Sequence, residues 1–367
     1  MKEISNMHVF ICIENDNFVQ MFLDALLSKT NLNKDNFIIV IIPIEPGYSF
    51  NKVLDVEIID YNDNLIPDLI NAKSLTFISL NNWNSIVLNK IIGHDNDVVS
   101  KIHIFVTDDE VERWRKNFDK NTYLKEDKNQ HISENVIKAL SHKLNFIMPK
   151  GYFYDVISKI LNHHGNIENA SGIFDILFTD QSKKLLQIVN SIPKNHTKIL
   201  LGSKAGSFGF RATIKIFNSF YKLKMTDRYK FVCLNQGKHK IALILYVFFM
   251  KIFKKINIHI EFFPITDALT YNSMVSSISY FILQNRGGGT AARNFVKWGC
   301  GYLCIMKDSP NSNVFKGIYK IDLINFEEYD EIANKIKDSH HIDIKQNRIK
   351  IMDEESRALE VLSKLYA

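Results

Sequence analysis

The 367 residues predict an α/β protein made of two Rossmann-like βαβ domains in tandem. Three observations carry that expectation. Apolar runs of strand length alternate with helical patterns along most of the chain, which argues for parallel sheets covered on both faces. A polar, proline-bearing stretch at 190–197, NSIPKNHT, separates two such alternating regions. Glycine clusters follow two of the apolar runs in the second region, where a strand must turn into a helix. The expected domains are residues 1–192 and 193–367, which suits the length.

In the first region the strand-like runs are 8–13, 37–42, 56–60, 75–80, 102–107 and 173–179. Between them the apolar spacing becomes helical over 17–28, 65–72, 85–92, 133–142 and 152–162. The second region restarts with a strand at 198–201, the loop GSKAGSFGF and a helix at 212–221. A strand at 229–234, a helix at 241–254, a strand at 256–262 and a helix at 268–274 follow. Residues 276–307 then read SSISYFILQ, NRGGGTAARNFVKWGCG and YLCIMK: a strand, a triple-glycine turn with a short helix, and a strand. Thr290 is the expected N-cap of that helix, and Gly299 and Gly301 mark its end. Amphipathic helices at 327–338 and 354–366 close the chain.

Charge is unevenly spread. Residues 1–196 carry 20 Lys and Arg against 25 acids, and residues 308–367 carry 9 against 12. Residues 197–307 carry 17 against 3 (Asp227, Glu261 and Asp267), a surplus of 14. Such a block attracts anions: a nucleotide, an acidic lipid surface or a nucleic acid. Its bases are interleaved with large apolar runs in place of Gly, Ser or aromatic platforms, so no nucleic-acid partner is expected.

Cys12 and Cys233 lie in apolar runs, and Cys300 and Cys304 have no second pair to complete a metal site, so all four are expected to be core thiols in a reducing cytoplasm. No D-x-D pattern has strand context, and neither a catalytic metal nor a cofactor is expected. Lys2 and Glu3 precede a short strand-like run in place of a long apolar segment, so no signal peptide and a cytoplasmic location are expected. The apolar run 241–250, IALILYVFFM, cannot span a bilayer. It is expected to be a buried helix of an α/β layer. The alternative is a helix lying at an anionic membrane surface, because Lys238, Lys240, Lys251, Lys254 and Lys255 flank it.

Both glycine turns suit a phosphate. Glycines let backbone N–H groups converge on a ligand with no Cβ in the way, and the helix behind adds a partial positive charge. The first turn, Gly202, Ser203, Lys204, Ala205, Gly206, Ser207, lacks the G-K-[ST] ending of a P-loop and is not G-x-G-x-x-G. In a parallel sheet both turns lie at the carboxyl edge, where ligands bind near a switch point.

Tandem βαβ domains with phosphate-cradling turns in the second resemble the GT-B glycosyltransferases. That resemblance implies two domains facing each other across a cleft, acceptor on the N-terminal side and nucleotide-sugar donor on the C-terminal side. KIHIFVTDDEVERW, KILLGSKAGS and YFILQNRGGGTAARNFVKWGCGYLCIMKDSPN are similar to segments of the bacterial 4-acetamido-4,6-dideoxygalactose transferases of enterobacterial common antigen synthesis. The resemblance implies a metal-independent transferase of bacterial surface polysaccharide or lipopolysaccharide synthesis, with a glycan or lipid-linked acceptor; the basic-flanked apolar run at 241–255 is consistent with a lipid-linked acceptor and peripheral membrane contact. It places Gly202, Ser203 and Gly206 near the donor phosphates or sugar and gives Gly287, Gly288, Gly289 and Thr290 the diphosphate. Lys204, Arg286 or Arg293 would neutralise the leaving charge. Many GT-B enzymes hold the ribose with a Glu, but this chain has no acid between Asp267 and Asp308, so Asn285 or Asn294 would serve. Main chain around Phe263 and Ile265 would read the base. Replacing Gly288 by valine is expected to cost donor affinity and leave the fold alone.

An inverting transfer needs a general base. Asp108, Asp109 or Glu110, after an apolar strand, and Asp180, after FDILFT, are the candidates; Thr107 or Asp108 and Asp180 are also placed to cap a helix, with the other acids stabilising its first turn. Three other readings share these features: a non-catalytic GT-B-like partner subunit, a nucleotide-sugar epimerase, and a nucleic-acid-binding protein.

Overall fold

In the computed structural model the chain forms two compact units, residues 1–174 with 355–367, and residues 175–354. The structure describes residues 4–14, 18–45, 52–106, 110–111, 113–115, 132–149, 152–161, 164–170, 173, 177–191, 195–234, 239–264, 266–299 and 301–367.

The first unit holds a seven-stranded parallel sheet of order β3-β2-β1-β4-β5-β6-β7. Its strands are β1 (His8–Ile13), β2 (Phe37–Ile42), β3 (Glu57–Asp60), β4 (Ser74–Ile78), β5 (Ile102–Phe105), β6 (Asn145–Met148) and β7 (Ile167–Asn169). β2 is buried along its whole length, which explains why it reads as a continuous apolar run and not as alternation; β4 is as fully buried although it carries Ser74 and Thr76. β6 and β7 escape a pattern reading because they are short and begin or end on asparagine. Buried Asn145 earns its place by bonding: Nδ2 donates to the Ser100 and Ile102 carbonyls at 2.9 and 3.1 Å, and Oδ1 accepts from the Asn166 N–H at 2.9 Å. The strand expected at 173–179 does not form in its described part. Ile173 and Leu177 are buried outside any strand, and Thr179 opens the helix Thr179–Ser191.

The chain's last helix, Ile344–Leu365, begins in the second unit and ends in the first. Ala358, Leu362 and Tyr366 join the core cluster of Phe10 and Phe22. The Tyr366 ring lies 5.5 Å from Phe10 and 5.3 Å from His8, and its hydroxyl meets Thr76 Oγ1 at 3.0 Å. The units therefore divide differently from the expected 1–192 and 193–367: the first ends at residue 174 and takes back the final thirteen residues. An amphipathic pattern shows that a helix has an apolar face, not which sheet will cover it.

Two buried histidines make this unit sensitive to acid. Burial, with smaller contributions from the Lys73 and His103 charges, lowers His8 from 6.5 to about 4, and burial lowers His103 to about 4. Both fold as neutral rings; His8 Nδ1 meets Ser74 Oγ at 2.7 Å. Between pH 6.5 and about 4 the unfolded chain takes up protons that the folded chain refuses, so stability falls as pH drops through that window. Above 6.5 neither state is charged and nothing is lost. Each histidine contributes a loss on the order of 3 kcal/mol when the window is crossed. Denaturant titrations at pH 7 and pH 4.5 should show the loss, and His8→Leu should roughly halve the difference between the two. A pH-independent midpoint would refute this assignment.

The second unit holds a six-stranded parallel sheet of order β10-β9-β8-β11-β12-β13. Its strands are β8 (Asn195–Leu201), β9 (Lys230–Leu234), β10 (His259–Phe263), β11 (Ile278–Ile282), β12 (Tyr302–Met306) and β13 (Ile324–Phe326). Strand order thus reverses between β1 and β4 in one unit and between β8 and β11 in the other, which are their switch points. Helix Phe210–Lys222 packs on the second sheet through Phe217 and Phe220, whose rings lie 4.7 and 5.1 Å from Phe231.

One expectation fails here. The helix His239–Phe253 is not buried: only Leu243 and Met250 are enclosed, while most of its Ile, Leu and Phe side chains are exposed. It crosses from β9 to β10, the edge strand, where the sheet leaves its outer face uncovered. Cys12, Cys233 and Cys304 are buried and form no disulfide among the described residues, and Cys300 lies outside those residues.

Candidate functional site

The two glycine turns follow β8 and β11, the adjacent strands of the switch point, with Leu201 paired to Ile282. Gly202 has φ +76° and donates its N–H to the Ile282 carbonyl at 2.9 Å. A Cβ there would collide with Ser207, so glycine is obligatory on two grounds. The chain then folds back through Ser207, whose N–H and hydroxyl both donate to the Lys204 carbonyl at 3.2 and 2.7 Å. Gly209 caps the Phe210–Lys222 helix with no side-chain bond to its first N–H groups.

The second turn is tied to the first by Gln284. Its Oε1 accepts from the Ser203 N–H at 3.0 Å, and its Nε2 donates to Ser203 Oγ at 2.6 Å and the Gly287 carbonyl at 2.9 Å. Asn311 reinforces the same point, Nδ2 donating to the carbonyls of Gln284 and Gly287 at 2.6 and 3.0 Å. Tyr271 donates its hydroxyl to the Ser203 carbonyl at 2.8 Å, and burial pushes that hydroxyl's pKa up, keeping it a donor. Ser203 therefore spends its N–H on the turn. Its hydroxyl, accepting from Gln284, keeps a proton to donate. Gln284, Asn311 and Tyr271 were invisible as site residues. The available signal was a polar residue ending the apolar run of β11, directly before the glycines.

Gly287 and Gly288 have φ +74° and +77°, the left-handed region. Gly288, not Thr290, is the N-cap of the helix Gly289–Asn294, and it makes no side-chain cap bond. A Cβ on Gly288 would meet Ser203 Oγ, and Gln284 Nε2 at 2.7 Å. The expectation that valine at 288 would spare the fold is thus corrected: this glycine is needed for packing as well. Gly206, Gly287 and Gly289 differ, since a Cβ on any of them meets nothing within 4 Å. Open space thus stands over both turns, and the uncapped N–H groups of a first helical turn lack intrahelical partners.

The helix continues as a wider π turn over Phe295–Gly299. Ala292, Phe295 and Val296 pack into the core, while Thr290, Arg293 and Asn294 share the opposite face by their i, i+3, i+4 spacing. Arg293 and Asn294 are 3% and 2% exposed. Asn294 has neither amide atom hydrogen-bonded, a rare state for a buried side chain. Arg286 is half-buried and Lys204 exposed on the first turn. Phe263 ends β10 at the sheet edge, half-buried, and Ile265 is outside the described residues.

Asp108 and Asp109 lie outside the described residues; Glu110 beside them is fully buried. Asp180 stands in the first turn of helix Thr179–Ser191, exposed and paired with Lys183 at 3.3 Å. Buried Glu14, just past β1, accepts the Ile44 and Glu45 N–H groups at 2.7 and 3.1 Å and so braces the loop after β2. Among the described residues no group of three or more His, Cys, Asp or Glu is placed to hold a metal ion.

Two doubly wound parallel sheets in one chain are the two-domain GT-B fold. Solved structures sharing it over nearly the full length include UGT71G1 of Medicago truncatula complexed with UDP-glucose, at 13% identity and a TM-score of 0.56, spanning 100% of this chain and 99% of that one. The trehalose-6-phosphate synthase OtsA matches at 8% identity and 0.58, spanning 98% and 97%. The α,α-trehalose 6-phosphate synthase of Burkholderia multivorans matches at 7% identity and 0.59, spanning 99% and 97%. No protein-family model and no curated protein sequence matches the chain.

Proposed function

We propose that the protein is a glycosyltransferase that moves a sugar from a nucleotide-diphosphate donor to a hydroxyl of a glycan or lipid-linked acceptor. One observation carries the reading: two open glycine turns, locked together by Gln284 at a switch point, each lead into a helix without a side-chain cap. An anion seated there would meet backbone N–H groups and the positive helix ends. The Medicago truncatula neighbour was solved with UDP-glucose, which agrees with a donor of this class. The sequence resemblance to the 4-acetamido-4,6-dideoxygalactose transferases supports a role in bacterial surface polysaccharide synthesis, on the cytoplasmic side.

In this reading the acceptor oxygen attacks the anomeric carbon, and its proton passes to a carboxylate, with Asp108 or Asp109 the proposed base. The bond to the nucleoside diphosphate breaks with its electron pair, and the turns, Lys204 and Arg286 stabilise the charge that leaves. Positive charge from the protein does this work without a metal. Thr290, half-buried at the start of the helix, is proposed to meet the donor's hydroxyls, with Asn294 buried one turn behind it.

Calorimetry against UDP, GDP, CDP, ADP and dTDP without added Mg²⁺ tests the donor site. One of them should bind. Gly289→Val is the informative variant, because it adds bulk over the open turn at an unstrained position. It should weaken binding at least tenfold, about 1.4 kcal/mol, and leave the melting temperature unchanged. Binding of none of the five by the wild type would remove the donor site. Asp108→Asn and Asp109→Asn should keep donor binding, and the base is whichever of them abolishes turnover; full turnover in both would remove the acidic turn from the mechanism.

A further inference from the structure

The helix His239–Phe253 carries its apolar stripe on the outside. Positions 241, 244, 245, 248, 249, 252 and 253 are all Ile, Leu or Phe, and they are 46–70% exposed. Their spacing, i, i+3, i+4, i+7, i+8, i+11, i+12, is that of one continuous helix face. Soluble helices turn such a face inward; this one buries Leu243 and Met250 in the core, with Tyr246 and Val247 packed partly against it and Tyr246 bonded to Asn218 at 2.8 Å. Phe249 and Phe253 pack on each other in the exposed stripe, 4.8 Å between centroids. A contiguous exposed patch of this kind marks an interaction surface.

Charge identifies the partner. Lys240 and Lys251 border the stripe, and Lys254 and Lys255 follow its end, all four exposed. No acid occurs between Asp227 and Glu261, and Glu261 is already engaged by Lys198 and Lys230 at 3.2 and 2.8 Å. The rim is therefore cationic and unbalanced. A second copy seated on the same face would set lysines against lysines. At about 1.5 Å per residue the helix is roughly 22 Å long, and no helix among the described residues is long and apolar enough to cross a membrane. It suits a helix lying in the plane of an interface, with its apolar face at the level of the upper acyl chains and its lysines among headgroups.

We propose that this face docks the protein on the surface of an anionic lipid bilayer. The assignment is independent of the donor site, and its test reads lipid binding and not transfer. The full chain should cosediment with vesicles of phosphatidylcholine mixed with phosphatidylglycerol, far less with phosphatidylcholine alone, and less as salt is raised. The triple change Leu245→Ser, Phe248→Ser, Phe249→Ser should cut partitioning roughly tenfold or more. The triple charge reversal Lys251→Glu, Lys254→Glu, Lys255→Glu should do the same for mixed vesicles only. Its substitutions are at exposed positions, so it decides the matter even if the serine variant loses stability. Vesicle binding unaltered by the charge reversal, or no binding by the wild type, overturns the proposal. A lipid-free dimer of the wild type that the serine variant converts to monomer would assign the face to a second copy instead.

Discussion

Gly288→Val is expected to lower the melting temperature by roughly 5–10 °C and to abolish donor binding at the same time. Two costs combine. The backbone at 288 has φ +77°, which costs an L-residue on the order of 1–2 kcal/mol. The new Cβ must also displace Ser203 Oγ and Gln284 Nε2, the atoms that join the two turns. A loss of about 2–4 kcal/mol then converts to the stated shift for a chain of this size. Gly288→Ala should suffer most of it, because the collision occurs at Cβ. Gly289→Val, two atoms of backbone away from the strained φ, should melt like the wild type. Equal melting temperatures for all three would mean that the turn is not built as described.

Gln284→Leu is the second large effect. Leucine keeps the volume and deletes three hydrogen bonds, leaving the half-buried Ser203 N–H without its acceptor and Ser203 Oγ without its donor. An unsatisfied group costs about 1–3 kcal/mol when fully buried, and less at a half-buried position such as this one. Donor affinity should fall roughly a hundredfold, about 2.7 kcal/mol, since the turns would no longer hold one geometry. The melting temperature should drop by several degrees. Tyr271→Phe removes a single bond to the Ser203 carbonyl and should weaken binding only a few-fold. Wild-type affinity in Gln284→Leu, measured by the same calorimetry, would show that the two turns bind independently or not at all.

Most of the strands were legible because their environment is uniform. β1, β2 and β9 sit inside parallel sheets, so apolar continuity alone marks them. The glycine turns were legible because their backbone needs φ values that other residues resist. β7 and β13 were not, as three residues are too few for a period. Thr290 reads as a cap from its type, yet Gly288 takes the position because the turn must leave the strand in a left-handed conformation first.

By itself the sequence determined the fold class, the two glycine turns and the basic character of residues 197–307. These are local properties: a strand's apolarity, a glycine's freedom and a lysine's charge belong to the residue and its neighbours. Tertiary structure decided the rest. It brought Gln284 against Ser203 across 81 positions of sequence, and Tyr366 against Thr76 across 290. It also turned the stripe of helix His239–Phe253 outward, at the uncovered edge of a sheet. Periodicity records that a helix has an apolar face; only packing decides whether a sheet, a partner or a membrane covers it.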